Sequence, residues 1–171
     1  MHEIDKKAEE AREKKATYGP DIDLGEYCTL GECHEPVEKL EQLPEEEKST
    51  MLKAGVDARE EGRSGSYIQR DTTAIYATSI MDGLEVLPIK EALKLDWVKE
   101  YYWKLVPIDQ DKFTSIAHTD LHNGYVIRSL PGAKVTFPVQ ACLYLHQDAL
   151  SQNVHNLVIA GEDSELHVIT G

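Results

Sequence analysis

The sequence predicts a mainly β fold, in which short strands form a coil that stacks on itself after a small α-helical N-terminal region. The last third of the chain contains three short apolar runs separated by polar turns: residues 139–145, 154–160 and 166–169. Each run is rich in Val, Ile, Leu or Tyr and too short for a normal helix, which indicates strands. Cys142, His155 and His167 recur about a dozen residues apart, and such a repeat favours a stacked coil over a closed sandwich.

Residues 1–65 are predicted to form a helical arm and a linker. Residues 3–16 are dense in helix formers and in Glu–Lys pairs, which indicates a solvated helix. A second helix is predicted over residues 44–54, because Pro44 and three glutamates suit its first turn and Gly55 suits its end. Residues 58–66 are rich in Gly, Ser and charge, so they predict a linker and place the domain boundary at residue 65.

Residues 66–171 are predicted to form the start of a β domain with an inserted helix near 88–105. The helical stretch has a broad apolar face, and Leu95 followed by Asp96 is expected to divide it, with Asp96 capping the second piece. Apolar and β-branched runs predict the remaining elements as strands, with one or two in the first range: residues 67–79, 84–87, 113–117, 124–130 and 135–137.

The net charge of −13 excludes several function classes. Nucleic-acid binders and proteins that lie on anionic membranes use Lys and Arg to neutralise phosphate, so neither partner is expected. The chain contains no stretch long and apolar enough to span a membrane, and its first residues lack the apolar core of a signal peptide. Three cysteines imply no disulfide framework, so we expect a cytoplasmic protein.

Two groups of residues are candidates for metal binding. Cys28, Cys33 and His34 carry thiolate and imidazole ligands, but the cysteines lie further apart than in most structural metal sites, so an exposed connector is favoured. Cys142 and His155 are the candidates within the strands. Strand alternation places Cys142 on the outer, semi-polar face or at an interface, and His155 is expected to be a core histidine held by a hydrogen bond rather than a ligand.

No residue is predicted to be catalytic. The chain has no nucleophile elbow, P-loop, dinucleotide fingerprint or HExxH motif. His118 and His122 are predicted to lie in a loop, where helical spacing cannot bring their rings together. Four acidic residues could in principle supply paired carboxylates for sugar chemistry, but they fall in predicted turns, where solvated acids are common: Asp120, Glu162, Asp163 and Glu165.

Several separated blocks resemble, in order, the front half of the SufB/SufD family, and the archaeal SufB/SufD-like proteins above all. The longest blocks are GYVIRSLPGAKVTFPVQACLY at residues 124–144 and VHNLVIAGEDSELHVITG at residues 154–171. Shorter blocks are IKEAL at 89–93 and DWVKEYYWKLVP at 96–107, and GPDIDLGEY at 19–27 extends the resemblance towards the N-terminus.

This resemblance implies a right-handed parallel β-helix, incomplete here, behind a helical N-terminal region. It also implies a scaffold role in iron–sulfur cluster assembly, with a SufC-type ATPase and SufB/SufD-like subunits as partners. The family's Cys and His residues tied to cluster assembly lie beyond Gly171, so we expect no cofactor in this N-terminal portion and an iron–sulfur cluster only in the complete complex. An uncapped final coil predicts a homo-oligomer that forms through this end.

Two other function classes stay open. The chain could be a non-catalytic interaction module whose acidic arm recruits a basic partner. It could also be a β-helix carbohydrate-active enzyme, an analogy at the level of fold alone. Such an enzyme needs a groove lined by charged residues on stacked strands, and the predicted strands contain almost none.

Overall fold

The computed structural model describes residues 3–171, so the first two residues of the predicted arm lie outside the described residues. The α-helices are α1 Glu3–Ala11, α2 Glu45–Lys53, α3 Ile89–Ala92, α4 Asp96–Lys99 and α5 Lys112–Thr119. The strands are β1 Gly65–Arg70, β2 Thr73–Ser79, β3 Leu84–Pro88, β4 Tyr125–Ser129, β5 Val139–Tyr144, β6 Leu157–Ala160 and β7 Val168–Thr170.

The strands form two mixed sheets. The first has four strands in the order β2-β1-β5-β7, with β1 and β2 antiparallel and the other pairs parallel. The second has three strands in the order β3-β4-β6, with β3 and β4 antiparallel and β4 and β6 parallel. A core cluster that includes Tyr67, Ile127 and Val139 contains residues of both sheets.

The prediction of a mainly β fold with a right-handed parallel β-helix is wrong. Helix and strand contribute nearly equal shares of the chain, 24% and 25%, and each sheet contains an antiparallel pair. Strands that follow one another in the last third enter different sheets, because β5 pairs with β7 while β4 pairs with β6. Strands that follow one another at this spacing of about a dozen residues therefore lie in different sheets and do not stack directly on each other.

Several of the other predicted elements are confirmed, but residues 135–137, predicted as a strand, form none. The stretch 67–79 forms the β1–β2 hairpin, and α2 starts after Pro44 and is followed by Gly55 at a φ of 86°. The inserted helix is divided at Leu95, as expected, but Asp96 does not cap the second piece and instead pairs with Lys99.

Helix α5 replaces a predicted strand over residues 113–117. Asp111 caps it, because its Oδ1 accepts hydrogen bonds from the backbone N–H groups of Phe113 and Thr114 at 3.0 and 3.1 Å. The Thr114 hydroxyl oxygen in turn accepts from the N–H of Asp111 at 3.1 Å, which completes a capping box. Helix α1 packs against α5.

Residues of the N-terminal arm share a core with the four-stranded sheet. Leu40, Met51 and Val56 are buried against Ile68 and Cys142. The division of the chain at residue 65 stays a prediction, but this cluster joins residues from both sides of it.

The segment predicted as a linker is held to strand β5 by Gln140, which is fully buried. The Gln140 side-chain oxygen accepts hydrogen bonds from the N–H of Asp57 at 2.8 Å and from Nε of Arg63 at 3.0 Å. Its Nε2 donates to the Asp57 carbonyl at 2.9 Å. One buried amide therefore fixes the path of a Gly- and charge-rich segment. Among the described residues, no helix is long and apolar enough to cross a membrane.

Candidate functional site

The most connected polar site lies at the turn between β1 and β2, where Asp71 is only 1% exposed. Its backbone adopts a φ of 51°, a left-handed conformation that aspartate tolerates better than most residues. Oδ1 of Asp71 accepts hydrogen bonds from the backbone N–H groups of His146 and Gln147 at 2.7 and 3.0 Å. Oδ2 lies 2.8 Å from Nε2 of His34. The turn therefore joins the N-terminal connector to the loop that follows β5.

The ionisation of Asp71 follows from these contacts. Burial alone would raise its pKa, but the N–H donors of Gln147 and His146 and the His34 ring stabilise the carboxylate and hold the pKa below its usual value. Because the Asp71 carboxylate can only accept, Nε2 of His34 is the donor in this contact. Such a carboxylate–histidine pair orients an imidazole as a base or ligand.

Cys33, the neighbour of His34, lies on a cavity of about 420 Å³. Thr72 and Thr73 of the hairpin line one part of it, and His122 and Asn123 line another. Nδ1 of His122 accepts a hydrogen bond from the backbone N–H of Asn153 at 3.1 Å, and its Nε2 is buried without a hydrogen-bond partner among the described residues.

The structure does not gather Cys28, Cys33 and His34 into a metal site. Sγ of Cys28 donates to the Leu30 carbonyl at 3.3 Å, and the ring of His34 is bound to Asp71. Within residues 3–171, no group of three or more His, Cys, Asp or Glu side chains is arranged to hold a metal ion. Both cysteines of the connector are exposed.

Cys142 and His155 lie in different surroundings. Cys142 is 3% exposed and packs in the core cluster beneath the arm, so the strand face predicted to be outer is covered. Burial raises the pKa of its thiol to about 11, and the thiol is therefore protonated at neutral pH. A metal role for either residue stays a prediction.

The ring of His155 packs between Tyr102 and Trp103, with centroid distances of 4.6 and 4.4 Å. Burial, with a smaller contribution from the nearby His118, lowers the pKa of His155 to about 4. His155 is therefore neutral at physiological pH and is held by aromatic contacts, which sequence alternation alone did not indicate.

His118 lies in helix α5 and not in the loop predicted for it. Its Nε2 lies 3.1 Å from Oδ1 of Asp5 in α1, and its Nδ1 lies 3.3 Å from the Tyr102 hydroxyl. His118 and His122 are therefore bound to different partners.

The four carboxylates considered for sugar chemistry are not brought together. Asp120 ends helix α5 and lines the cavity beside Cys33. Glu162 and Asp163 lie exposed in the turn after β6, and Glu165 pairs with Lys134 at 2.8 Å. They supply no facing pair of acids across a groove.

No protein-family model matches the chain. An iron-sulfur cluster assembly SufBD family protein of Methanothermobacter thermautotrophicus is 46% identical over 175 residues, which cover 97% of this chain and 42% of that protein. A SufBD family protein of Archaeoglobus fulgidus is 50% identical over 126 residues, covering 73% of this chain and 34% of its own length.

The iron-sulfur cluster assembly protein SufB of Bacillus subtilis is 25% identical over 165 residues, covering 90% of this chain and 36% of SufB. The chain thus spans less than half the length of each of these three relatives. Both archaeal alignments cover more than two thirds of the chain, and the Methanothermobacter alignment covers nearly all of it. On this similarity, the chain belongs to the SufB/SufD family.

Proposed function

We propose that the protein is a scaffold component of an iron–sulfur cluster assembly complex in the cytoplasm, and that it works with a SufC-type ATPase and SufB/SufD-like subunits. The observation that carries this proposal is the similarity to archaeal relatives named for iron–sulfur cluster assembly, 46% and 50% identical to this chain. The chain spans 42% or less of those relatives, so the proposal concerns the part that this portion plays in the assembly.

We infer that this portion neither catalyses a reaction nor holds the cluster. Iron–sulfur clusters are bound by thiolates. Cys142 is the one cysteine within the described strands, and burial keeps it a protonated thiol beneath the arm. Its core contacts with Met51 and Ile68 suit a packing role. The cluster then belongs to the complete complex.

Outer strands β6 and β7 support association with a second copy or with a SufB/SufD-like subunit. Strand β6 has the sequence LVIA, without a charge or a proline, and Val158 within it is half exposed. Outer strands of proteins that stay monomeric are usually protected by charge, proline or a covering segment. An unprotected apolar outer strand is suited to pairing with another chain.

Co-purification tests the proposal. The full-length protein is co-expressed under anaerobic conditions with the SufC-type ATPase and a SufB/SufD-like subunit of the same organism, and captured through a tag on the ATPase. We expect all the subunits in the eluate. Recovery of the ATPase without this protein, from cells that contain both, would contradict the proposal.

A pair of variants separates the role of the β6 edge from that of the rest of the surface. Val158→Lys places a charge on the outer strand and is expected to lower recovery of the SufB/SufD-like subunit or of a second copy. The matched control is Glu162→Lys in the exposed turn that follows β6, which is expected to leave recovery unchanged. Equal recovery with both variants would exclude β6 as the contact.

A further inference from the structure

Strand β2 is an outer strand of the four-stranded sheet, at the opposite edge from β7. In its antiparallel pairing with β1, Tyr67 lies opposite Ala77 and Gly65 lies opposite Ser79. The N–H of Ile80 donates to the Ser64 carbonyl at 3.0 Å, so Ser64 and Ile80 form a hydrogen-bonded pair. Since bonded and non-bonded pairs alternate, Ala77 and Ser79 turn their N–H and C=O groups away from β1.

The outward edge of β2 already binds one main-chain donor. The carbonyl of Ile75, two residues before Ala77, accepts a hydrogen bond from the N–H of Val37 at 2.9 Å. The segment that carries Val37 then leaves the strand towards Leu40. Ala77 and Ser79 are exposed, and in the described part of the chain no segment pairs with their outward groups.

A groove of about 400 Å³ runs along this edge. Pro36 and Val37 line it on the side of the connector, Pro88 lines it at the end of β3, and Tyr76 and Thr78 line it from β2. Strand β2 has the sequence TAIYATS, which contains no charge and no proline. The edge therefore lacks the side chains that usually protect an outer strand.

The connector beside the groove is acidic. Glu38 lines the groove, and Glu32 and Glu35 are exposed earlier in the same connector. Lys39, directly after Glu38, is the one exposed base of the connector. Among the described residues, none of the three carboxylates forms an ion pair. A ligand that carries positive charge beside its main chain would complement this acidic connector.

We propose that this groove binds an extended, positively charged peptide segment of a partner protein, which adds to β2 as a new outer strand. Main-chain hydrogen bonds to Ala77 and Ser79 supply the pairing, as in other sites where a peptide extends a sheet. Glu35 and Glu38 select for lysine or arginine on the bound strand. Peptide binding at this site does not depend on iron–sulfur chemistry. A negative result in the peptide experiment would therefore leave the proposed function standing.

Binding of a defined peptide tests the proposal. The probe is a fluorescent six-residue peptide of alternating lysine and valine, blocked at both ends, and binding to the full-length protein is followed by anisotropy. Ala77→Pro removes an outward N–H without removing a β1–β2 hydrogen bond, and we expect roughly five- to tenfold weaker binding. The same peptide with alternate amides methylated has lost the N–H groups that pairing needs. We therefore expect it to bind the wild-type protein no more tightly than it binds Ala77→Pro.

Two charge variants test the acidic connector. Replacing both residues by glutamine, Glu35→Gln with Glu38→Gln, is expected to weaken binding about two- to fivefold. The matched control, Glu100→Gln with Glu162→Gln, removes the same charge from exposed positions elsewhere and is expected to leave binding unchanged. An equal loss in both double variants would mean non-specific attraction to an acidic protein and would overturn the proposal.

Hydrogen exchange keeps the proposal testable if Ala77→Pro fails to fold. In the wild-type protein, saturating lysine–valine peptide is expected to slow exchange in residues 73–80, whereas a control peptide of alternating glutamate and valine is expected to have no such effect. Binding without protection of this fragment would overturn the proposal. So would self-association of the free protein that protects the fragment, because the groove would then hold a second copy.

Discussion

At the residue scale, Asp71 forms tertiary hydrogen bonds that no motif in the sequence indicates. Its carboxylate binds the loop after β5 and the ring of His34, while its carbonyl accepts from Nε2 of Gln69 at 2.9 Å and of Gln152 at 2.6 Å. The connector at His34 and the loop from His146 to Gln152, both distant in sequence, therefore meet at one hairpin turn. A buried polar group with all its partners in place specifies a unique arrangement and is costly to disturb.

Asp71→Asn is expected to destabilise the protein by about 2 kcal/mol at pH 7, since hydrogen bonds to charged groups are the stronger ones. Asparagine keeps the size and tolerates the left-handed backbone, so the change tests the charge. The pKa of Asp71 is lowered in the folded state. Its contribution is therefore present above the unfolded pKa and is lost as pH falls through the folded pKa.

The measurement is urea unfolding of both proteins between neutral and acidic pH. The difference in unfolding free energy is expected to shrink on acidification, because the wild-type carboxylate becomes protonated. Glu100→Gln serves as the control at an exposed position. A difference that stays constant across this range would show that Asp71 contributes through packing alone.

The candidate site illustrates what local sequence can and cannot predict. The spacing of Cys28, Cys33 and His34 favours an exposed connector, and both cysteines are exposed, while a metal role for them stays a prediction. The partner of His34 was not predictable, because Asp71 lies in another element and a local pattern carries no information on such a contact. The one signal available in the sequence was that Asp71 is a polar residue between two runs that favour strands, which indicates a turn.

At the element scale, a buried ion pair joins helix α2 to strand β1. Nη2 of Arg70 lies 3.2 Å from Oε1 of Glu47, and both side chains are largely buried. Removing one partner of a buried pair leaves the other charge without compensation, whereas removing both does not.

We expect Arg70→Met to destabilise the protein by about 3 kcal/mol, a cost typical of breaking a buried ion pair. The double variant Arg70→Met with Glu47→Gln is expected to recover at least half of that loss. Chemical denaturation of the two single variants and the double variant gives the coupling free energy. Additive losses would show that the two side chains do not interact.

Helix α5 shows why an element predicted at the right place in the chain was assigned to the wrong class. Its sequence, KFTSIAHT, contains Phe, Ile and two threonines, which favour a strand by propensity. Asp111 and Thr114 form the capping box that starts the helix, and this spacing was visible in the sequence. Docking of α1 against α5 then adds tertiary contacts that propensity does not include.

At the scale of the whole molecule, the resemblance indicated the family correctly and the architecture incorrectly. The positions of β4, β5 and β6 follow from their apolar runs, but which strands pair depends on contacts between distant residues. The same holds for the arm. Its composition predicts helices, and only the packing of Leu40 and Met51 on Ile68 makes it part of a shared core.

This shared core predicts that the arm and the sheets unfold together. Met51 is buried in the cluster beneath the arm, whereas Trp97 packs in a different cluster and Trp103 packs against His155. Met51→Ala is expected to cost about 2–5 kcal/mol by leaving a cavity. If the molecule is cooperative, the unfolding midpoint falls equally by tryptophan fluorescence and by far-UV circular dichroism.

Leu52→Ala is the matched control, because this neighbour of Met51 is mostly exposed. Its effect is expected to stay within about 0.5 kcal/mol. If Met51→Ala shifts the dichroism and leaves the tryptophan transition in place, the arm unfolds on its own and residue 65 is a true domain boundary. Coincident shifts instead make residues 40–58 part of the same folding unit as the sheets, since a cavity beneath the arm would then destabilise the surroundings of both tryptophans.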